Sequence, residues 1–518
     1  MSLETMTEKK SLSAFFEPRV LALFFLGISA GIPLLLIFSS LSLWLREAGI
    51  DRGTVTFFSW AALAFSFKFV WAPVVGIMPI PFLTRYLGQR RSWLLLSQIA
   101  IVLSIVGMAS VNPALDGNVL MLMAIAAIGL GFSAATQDVV IDAFRIETAP
   151  KDYQALLSSM YIAGYRVGML ISGAGALYLA ALFGSSSAHY SYDAWRLTYY
   201  CMAGSVVIGI ITTLLISEPL STVREAQRAF FSSKSYLRFF LFFLVAAALF
   251  ILTYRVSGIF LENLVSFLAR MINNKPLAEL LWAGNQLILA LGAVVLLYRL
   301  FDKYHWVDKE LVNASYVAPI KDFFDRFSAK QVVLILLLIA LYRISDIVLG
   351  VISNVFYQDM GFTKIEIANV VKVFGLIMTL LGGFLGGAIA LRFGVIKSLF
   401  IGALATVLTN LLFMLMAQKG HDVVLFYFVI SADNLAGGFA GAAFVAYLSS
   451  LVNLSFTASQ YAIFSSLMTL FPKVLAGFSG TLVNMMGYSN FFLFASIIGL
   501  PVLVVIYLIR DIDCDETS

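Results

Sequence analysis

From residue 20 to residue 509 the chain returns repeatedly to apolar runs long enough to cross a hydrocarbon core, about 18–20 residues for a core ~30 Å thick. In lipid such a run forms helix, because a helix pairs all of its own backbone groups without water. A β-barrel would read instead as short segments of alternating polarity. We read fourteen spans, among them 54–76, 119–145, 154–182, 331–357 and 457–486. The expected fold class is an all-α polytopic membrane protein. With 61% of residues hydrophobic and 12% charged, a soluble domain is excluded. The net charge of +5 then reflects orientation in the bilayer and gives no reason to expect a nucleic-acid partner.

Orientation follows from where the basic residues fall. With the N-terminus in the cytoplasm, 21 of the 34 Lys and Arg lie in cytoplasmic segments, 7 on the far side and 6 inside spans. Both termini are therefore expected in the cytoplasm. Residues 1–19 are polar and precede a run of full span length, so they do not read as a cleavable signal peptide. Cys201 and Cys514 give no disulfide framework. His189, His305 and His421 are far apart and carry no metal-ligand spacing. No Walker A motif and no nucleophile–base set is present, so neither ATP-driven transport nor catalysis is expected, and no cofactor or metal.

The chain repeats itself. Leu156-Leu157-Ser158-Ser159, Arg166-Val167 and Ser172-Gly173 align without gaps on Ile463-Phe464-Ser465-Ser466, Lys473-Val474 and Ser479-Gly480, at an offset of 307. Spans 1–6 thus resemble spans 9–14. The layout expected is an N-terminal six-helix bundle (1–217), a cytoplasmic region with an inserted two-helix hairpin (218–330), a C-terminal six-helix bundle (331–510) and a tail (511–518). Within 299–330 an amphipathic linker helix is expected. Two homologous bundles are the design of transporters that rock about a site at the midplane.

Charges inside spans locate that site, since each costs roughly 2.5–3.5 kcal/mol at mid-bilayer unless it faces a cavity or a partner. Asp138, Asp142 and Arg145 lie at i, i+4 and i+7, on one helix face. Burial raises a carboxylate's affinity for protons and an adjacent cation lowers it. A carboxylate moved between such environments is a proton carrier, and Asp138 and Asp142 are the candidates. Arg166 keeps its charge and needs an anionic partner, Asp138, Asp142 or a substrate carboxylate. Lys473, its mate in the repeat, and Lys68 and Lys372 are further candidate substrate cations. The neutral amides Gln137, Asn354 and Asn434 suit hydroxyl and amide recognition. Arg343 and Asp346, at i and i+3, can neutralise each other, and Asp433 needs a partner or a cavity. These three, with Arg90, Arg91 and Arg145, are candidate gating residues. The Gly164-Gly168, Gly382-Gly386, Gly383-Gly387 and Gly437-Gly441 pairs read as close helix crossings.

Several stretches resemble the AmpG-type muropeptide permeases of the major facilitator superfamily. They are Gly31-Ile32-Pro33, Phe67-Lys68-Phe69-Val70-Trp71-Ala72-Pro73, Gln137-Asp138-Val139-Val140-Ile141-Asp142-Ala143 and Gly164-Tyr165-Arg166-Val167-Gly168 in the first half. In the second half they are Leu341-Tyr342-Arg343-Ile344-Ser345-Asp346, Asn434-Leu435-Ala436-Gly437-Gly438 and Ser459-Gln460-Tyr461-Ala462. The superfamily's loop signature survives only as Gly88-x-Arg90-Arg91 and Arg392-Phe393-Gly394, without its acidic residue. The resemblance implies a major facilitator fold and proton-driven import of anhydromuropeptides, GlcNAc-1,6-anhydroMurNAc with or without peptide. The route is from periplasm to cytoplasm across a cell inner membrane, serving cell-wall recycling and β-lactamase induction. Related acetyl-CoA transporters share part of the pattern. An acetyl-CoA transporter, a drug or metabolite exporter, and a membrane sensor that does not transport remain open alternatives.

Overall fold

The computed structural model describes residues 17–50, 58, 61, 64–115, 117–149, 153–186, 189–219, 231–260, 275–362, 364–476 and 479–510. Its elements are helices, and the chain divides into two compact units. The larger unit holds residues 1–76, 80–221 and 322–518. The smaller holds 77–79 and 222–321.

In the first half of the larger unit, α1 (Pro18–Ile37) and α2 (Ser39–Glu47) form one crossing interrupted at Phe38. They are followed by α3 (Gln89–Ala109), α4 (Gly117–Thr148), α5 (Gln154–Leu170) and α6 (Tyr192–Leu215). In the smaller unit α7 (Ser233–Phe260) and α8 (Lys275–Lys303) pack together, and helical turns follow from Lys309. The second half has α9 (Ala329–Leu341), α10 (Ile344–Asp359), α11 (Gly375–Phe393), α12 (Val395–Lys419), α13 (Val423–Ser450), α14 (Thr457–Ala476) and α15 (Ser479–Ile509). Starts and stops follow the local chemistry. Ser191 and Asp422 cap α6 and α13 through the Ala194 and Leu425 amides, and Ser328 with Gln331 forms a capping box on α9.

Twelve helices among the described residues are long and apolar enough to cross a membrane, where fourteen spans are expected. The two others have specific causes. Of 54–76, residues 54–57 lie outside the described residues, and 64–77 is a chain of short turns broken at Lys68–Val70. Of 457–486, α14 covers 20 residues but carries Pro472 and Lys473 near its end. In the 299–330 segment the expected linker helix runs over Lys309–Arg326, with one wide turn at Asn313–Val317.

Glycine sets the tightest crossings. A Cβ on Gly164 would collide with the Phe24 carbonyl oxygen, and one on Gly31 with that of Tyr165, so α1 and α5 touch backbone to backbone. The second half repeats this between α11 and α13, where Gly382 meets Leu435 and Gly438 meets Thr379. Each half has its own core. Trp44, Trp195 and Tyr199 stack in the first, and Phe356, Phe413, Phe426 and Phe492 in the second.

Candidate transport site

Asp138 lies ten residues before the end of α4, about 15 Å along its axis. Its face carries Asp142 and Arg145 one and two turns on. Lys68, held in a tight 3₁₀ turn, comes to this face from the preceding crossing. Its Nζ is 3.4 Å from Asp142 Oδ2, while Arg145 Nη2 is 3.5 Å from Asp142 Oδ1. Trp71, at the end of that turn, donates to Thr136 Oγ1 at 3.1 Å and ties the turn to α4. Asp138 has a different neighbour. Tyr161 of α5 donates its hydroxyl to Asp138 Oδ1 at 3.1 Å. Asp142 is thus flanked by two cations, and Asp138 hydrogen-bonds a neutral hydroxyl. Both carboxylates are less than a tenth exposed.

Toward the end of α4 the same face reaches the second half. Arg145 is fully buried. Its Nη1 donates to Gln154 Oε1 (3.2 Å), Ser158 Oγ (3.0 Å) and Ser449 Oγ (2.8 Å), the last on α13. The Tyr461 ring of α14 covers the guanidinium at 5.1 Å. A second link lies beside it. Arg90 takes Glu147 through Nε (3.1 Å) and Nη2 (2.6 Å), and Thr457, the first residue of α14, bonds both partners. Arg91 is arranged otherwise. Its guanidinium donates to the Thr213 and Leu214 carbonyls at the end of α6, and the Arg90 and Arg91 amides both donate to Glu218. Arg91 therefore braces the first half, whereas Arg90 and Arg145 span the two. A third link is the Ser159 hydroxyl on the Gly383 carbonyl at 2.9 Å.

Farther along α5, Tyr165 keeps to the face of Tyr161, their ring centroids 6.1 Å apart, whereas Arg166 turns away from it, and both are partly buried. Among the described residues Arg166 makes no ion pair with Asp138 or Asp142. Five residues separate Tyr161 from Arg166, a rotation of about 140° on the helix, so the two point to different sides. The charges within electrostatic reach of Arg166 are Arg343 and Asp346 of the second half. Arg343 sits at the break between α9 and α10 and forms the ion pair with Asp346 that their spacing allows. Asp433 receives the Thr409 hydroxyl at 3.3 Å and is itself within electrostatic reach of Arg343 and Asp346. Its neighbour Asn434 accepts from Thr379 at 2.8 Å and donates to the Ile430 carbonyl.

Gln137 is fully buried inside the first half. Its carbonyl accepts from Ser29 Oγ at 3.4 Å, and its Nε2 has no hydrogen-bond partner among the described residues. Asn354, Lys372 and Lys473 lie on helical backbone, but their side chains fall outside the described residues. Among the described residues no group of His, Cys, Asp and Glu could hold a metal.

Glu147, Glu218, Tyr161, Ser449, Thr457 and Tyr461 are absent from the sequence-based candidates. Glu147 ends a span, where a carboxylate reads as an ordinary interfacial charge, and the hydroxyls carry no charge to draw notice. One signal was available for Glu147. Arg90 and Arg91 keep the basic part of a loop signature without its acid, so an acid had to come from elsewhere.

Comparison with known proteins gives a consistent picture. Residues 13–318 match the model of the Major Facilitator Superfamily. The "Putative transporter AmpG 4" of Rickettsia felis is 32% identical over 492 residues, 95% of this chain and 96% of that protein. The "Anhydromuropeptide permease" of Escherichia coli K12 is 28% identical over 500 residues, 96% of this chain and 81% of the relative. Among solved structures, the proton:xylose symporter XylE superposes with a TM-score of 0.60 at 14% identity, covering 96% of both chains. FucP in its outward conformation gives 0.61 at 11%, covering 95% and 97%. At those identities the likeness concerns the fold alone.

Proposed function

Because the chain belongs to the Major Facilitator Superfamily, within its AmpG group, and is thus a multi-pass secondary transporter of small molecules rather than an enzyme, we propose that it imports peptidoglycan fragments, GlcNAc-1,6-anhydroMurNAc and its peptides, in symport with protons. The membrane is a cell inner membrane, with both termini in the cytoplasm and transport running from periplasm to cytoplasm. Cell-wall recycling and β-lactamase induction are the processes served.

The observation that carries this reading is the contrast between two carboxylates one turn apart. Asp142 is locked between Lys68 and Arg145, while Asp138 bonds Tyr161. A proton on Asp138 breaks no ion pair, so Asp138 is the site that loads and unloads. Asp142 is the reference charge that holds Lys68 and Arg145 in place. Tyr161, partly buried and beside Tyr165, is the neutral hydroxyl through which Asp138 would exchange its proton.

Arg166 and Arg343 supply the anion-binding step. Like charges brought together across the two halves repel, at about 1 kcal/mol for 4 Å in water and more in a drier cavity. A substrate carboxylate between them removes that repulsion and draws the halves together. Lys68, Lys372 and Lys473 add positive charge around the substrate, and Asn354 and Asn434 serve hydroxyl and N-acetyl groups, whereas Gln137, fully buried against Ser29, lies away from it. Arg90, Arg145, Arg343, Asp346 and Asp433 change partners as the halves rock, with Arg91 bracing the first. The two six-helix bundles move as bodies, and 218–330 connects them.

The test is uptake of labelled anhydromuropeptide into proteoliposomes under an imposed inward proton gradient. Gradient-stimulated uptake is expected. Indifference to the gradient, or movement of acetyl-CoA in place of the muropeptide, would sink the reading.

A further inference from the structure

The smaller unit holds a cavity of about 570 Å³ at the membrane boundary where α7 begins and α8 ends. Its walls include Ser235 and Arg238 from α7, Lys303 from the last turn of α8, and His305, Trp306 and Lys309 from the turn that follows. Nothing in the transport cycle uses it.

The charges around this cavity are unequally committed. Arg238, Lys303 and Lys309 form no ion pair among the described residues. Two acids also line it, Asp302 and Asp308. Asp308 is engaged, since its carboxylate caps the following turn through the Glu310 and Leu311 amides at 3.1 and 3.4 Å. Three cations against two carboxylates leave a net surplus of one positive charge in the lining, and the Asp308 carboxylate is turned to its own helix start. Beside the charges stands an interfacial aromatic wall, with Trp306 edge-on to Phe301 at 4.9 Å and Phe301 against Phe242 at 5.7 Å. Trp at this level marks the boundary of the hydrocarbon.

The apolar surface continues from the cavity along both helices. Only 17% of the apolar stretch of α7 and 11% of that of α8 is buried in the protein. Leu237 and Leu241 on α7, and Leu296 and Leu300 on α8, stand exposed within two turns of the cations. A cationic pocket opening onto exposed apolar helix has the two-part chemistry of a phospholipid, with phosphodiester above and acyl chains below.

We infer that the cavity between the start of α7 and the end of α8 is a binding site for an anionic glycerophospholipid, its phosphodiester held by Arg238, Lys303 and Lys309 and its acyl chains laid along Leu237 and Leu296. The lipid lies against the seam where α7 and α8 pack together, on the side that they leave exposed. It anchors the inserted hairpin to the leaflet at that end.

Native mass spectrometry of the full chain in mild detergent tests this, with phosphatidylglycerol and phosphatidylethanolamine added in equal amounts. The protein is expected to retain phosphatidylglycerol preferentially, and Arg238→Gln, Lys303→Gln and Lys309→Gln each to weaken retention about fivefold. The triple variant would lose the preference. If it does not yield monodisperse protein, the three single variants carry the measurement. Equal retention of the two lipids by the parent protein would overturn the inference, as would variants that keep the preference unchanged. Displacement of the lipid by inorganic phosphate would also overturn it, since the site would then take free anions without acyl contacts.

Discussion

Arg145 Nη1, in the first half, donates to Ser449 Oγ, in the second, at 2.8 Å. The same guanidinium touches Asp142, one face-turn from Asp138. A single side chain therefore joins the proposed proton site to a contact that closes the two halves together at this end. Charge rearrangement around Asp142 and separation of the halves are coupled through one residue.

Ser449→Ala removes that donation and leaves the rest of the Arg145 shell in place. A hydrogen bond to a charged group contributes about 1.5–3 kcal/mol. The closed end should therefore open more often, by a factor of roughly 10 or more. Pulsed electron paramagnetic resonance between spin labels on the two halves would read the shift. Arg145→Gln is harsher, since it leaves Asp142 buried with Lys68 alone, and should cost about 3–5 kcal/mol of stability.

Arg90 and Glu147 form the second link, with Thr457 bonding both. In a double-mutant cycle, Arg90→Gln and Glu147→Gln should each slow transport while the pair is no slower than either alone. The coupling expected for residues in one network is about 0.5–3 kcal/mol. Strictly additive effects would remove the pair from the gate.

Asp138→Asn should abolish gradient-driven uptake and spare counterflow exchange of substrate, because the amide keeps the shape and the Tyr161 contact but binds no proton. Equal loss of both activities would make Asp138 structural. Tyr161→Phe should lower gradient-driven uptake only in part, with folding unaffected.

Gly164→Ala places a methyl group against the Phe24 carbonyl, where backbone cannot yield. Overpacking of this kind costs about 1–3 kcal/mol. Gly204→Ala, which meets nothing within 4 Å, is the matched control and should be neutral or slightly stabilising. Thermal melts in detergent would separate the two.

The fold was legible because span length and the 156–173 repeat are properties of the one-dimensional chain. So was the Arg343–Asp346 pair, three residues apart. The Asp142–Lys68 pair was not, since the two are 74 positions apart and no spacing rule connects them. Nor were the helix irregularities that sit at the candidate cations. Lys68 lies in a 3₁₀ turn, Arg343 at a helix break, and Lys372 inside the wide turn Ala368–Phe374, with Ile171–Gly175 a turn beyond Arg166. Wide turns of this kind recur at functional sites, but they arise from packing against neighbouring helices, which the order of residues does not display. Arg166 teaches the same lesson from the other side. Its distance from Asp138 in sequence suggested a pair, and the rotation of α5 between Tyr161 and Arg166 decided otherwise.

The glycine crossings divide the molecule into what must hold and what must slip. Within each half, α1 on α5 and α11 on α13 meet as bare backbone, with no side chain between them to deform. Across the halves, α5 meets α11 through the Ser159 side chain, whose hydroxyl rests on the Gly383 carbonyl, a bond that a water molecule can replace, and which with the Ala155 carbonyl leaves no room for a Cβ on Gly387. In the proposed rocking motion, shear would fall on this contact rather than on the backbone crossings. The same residue type brings backbone onto backbone at Gly164 and Gly438 and admits a side chain from the other half at Gly387, and only the partner across the gap distinguishes them.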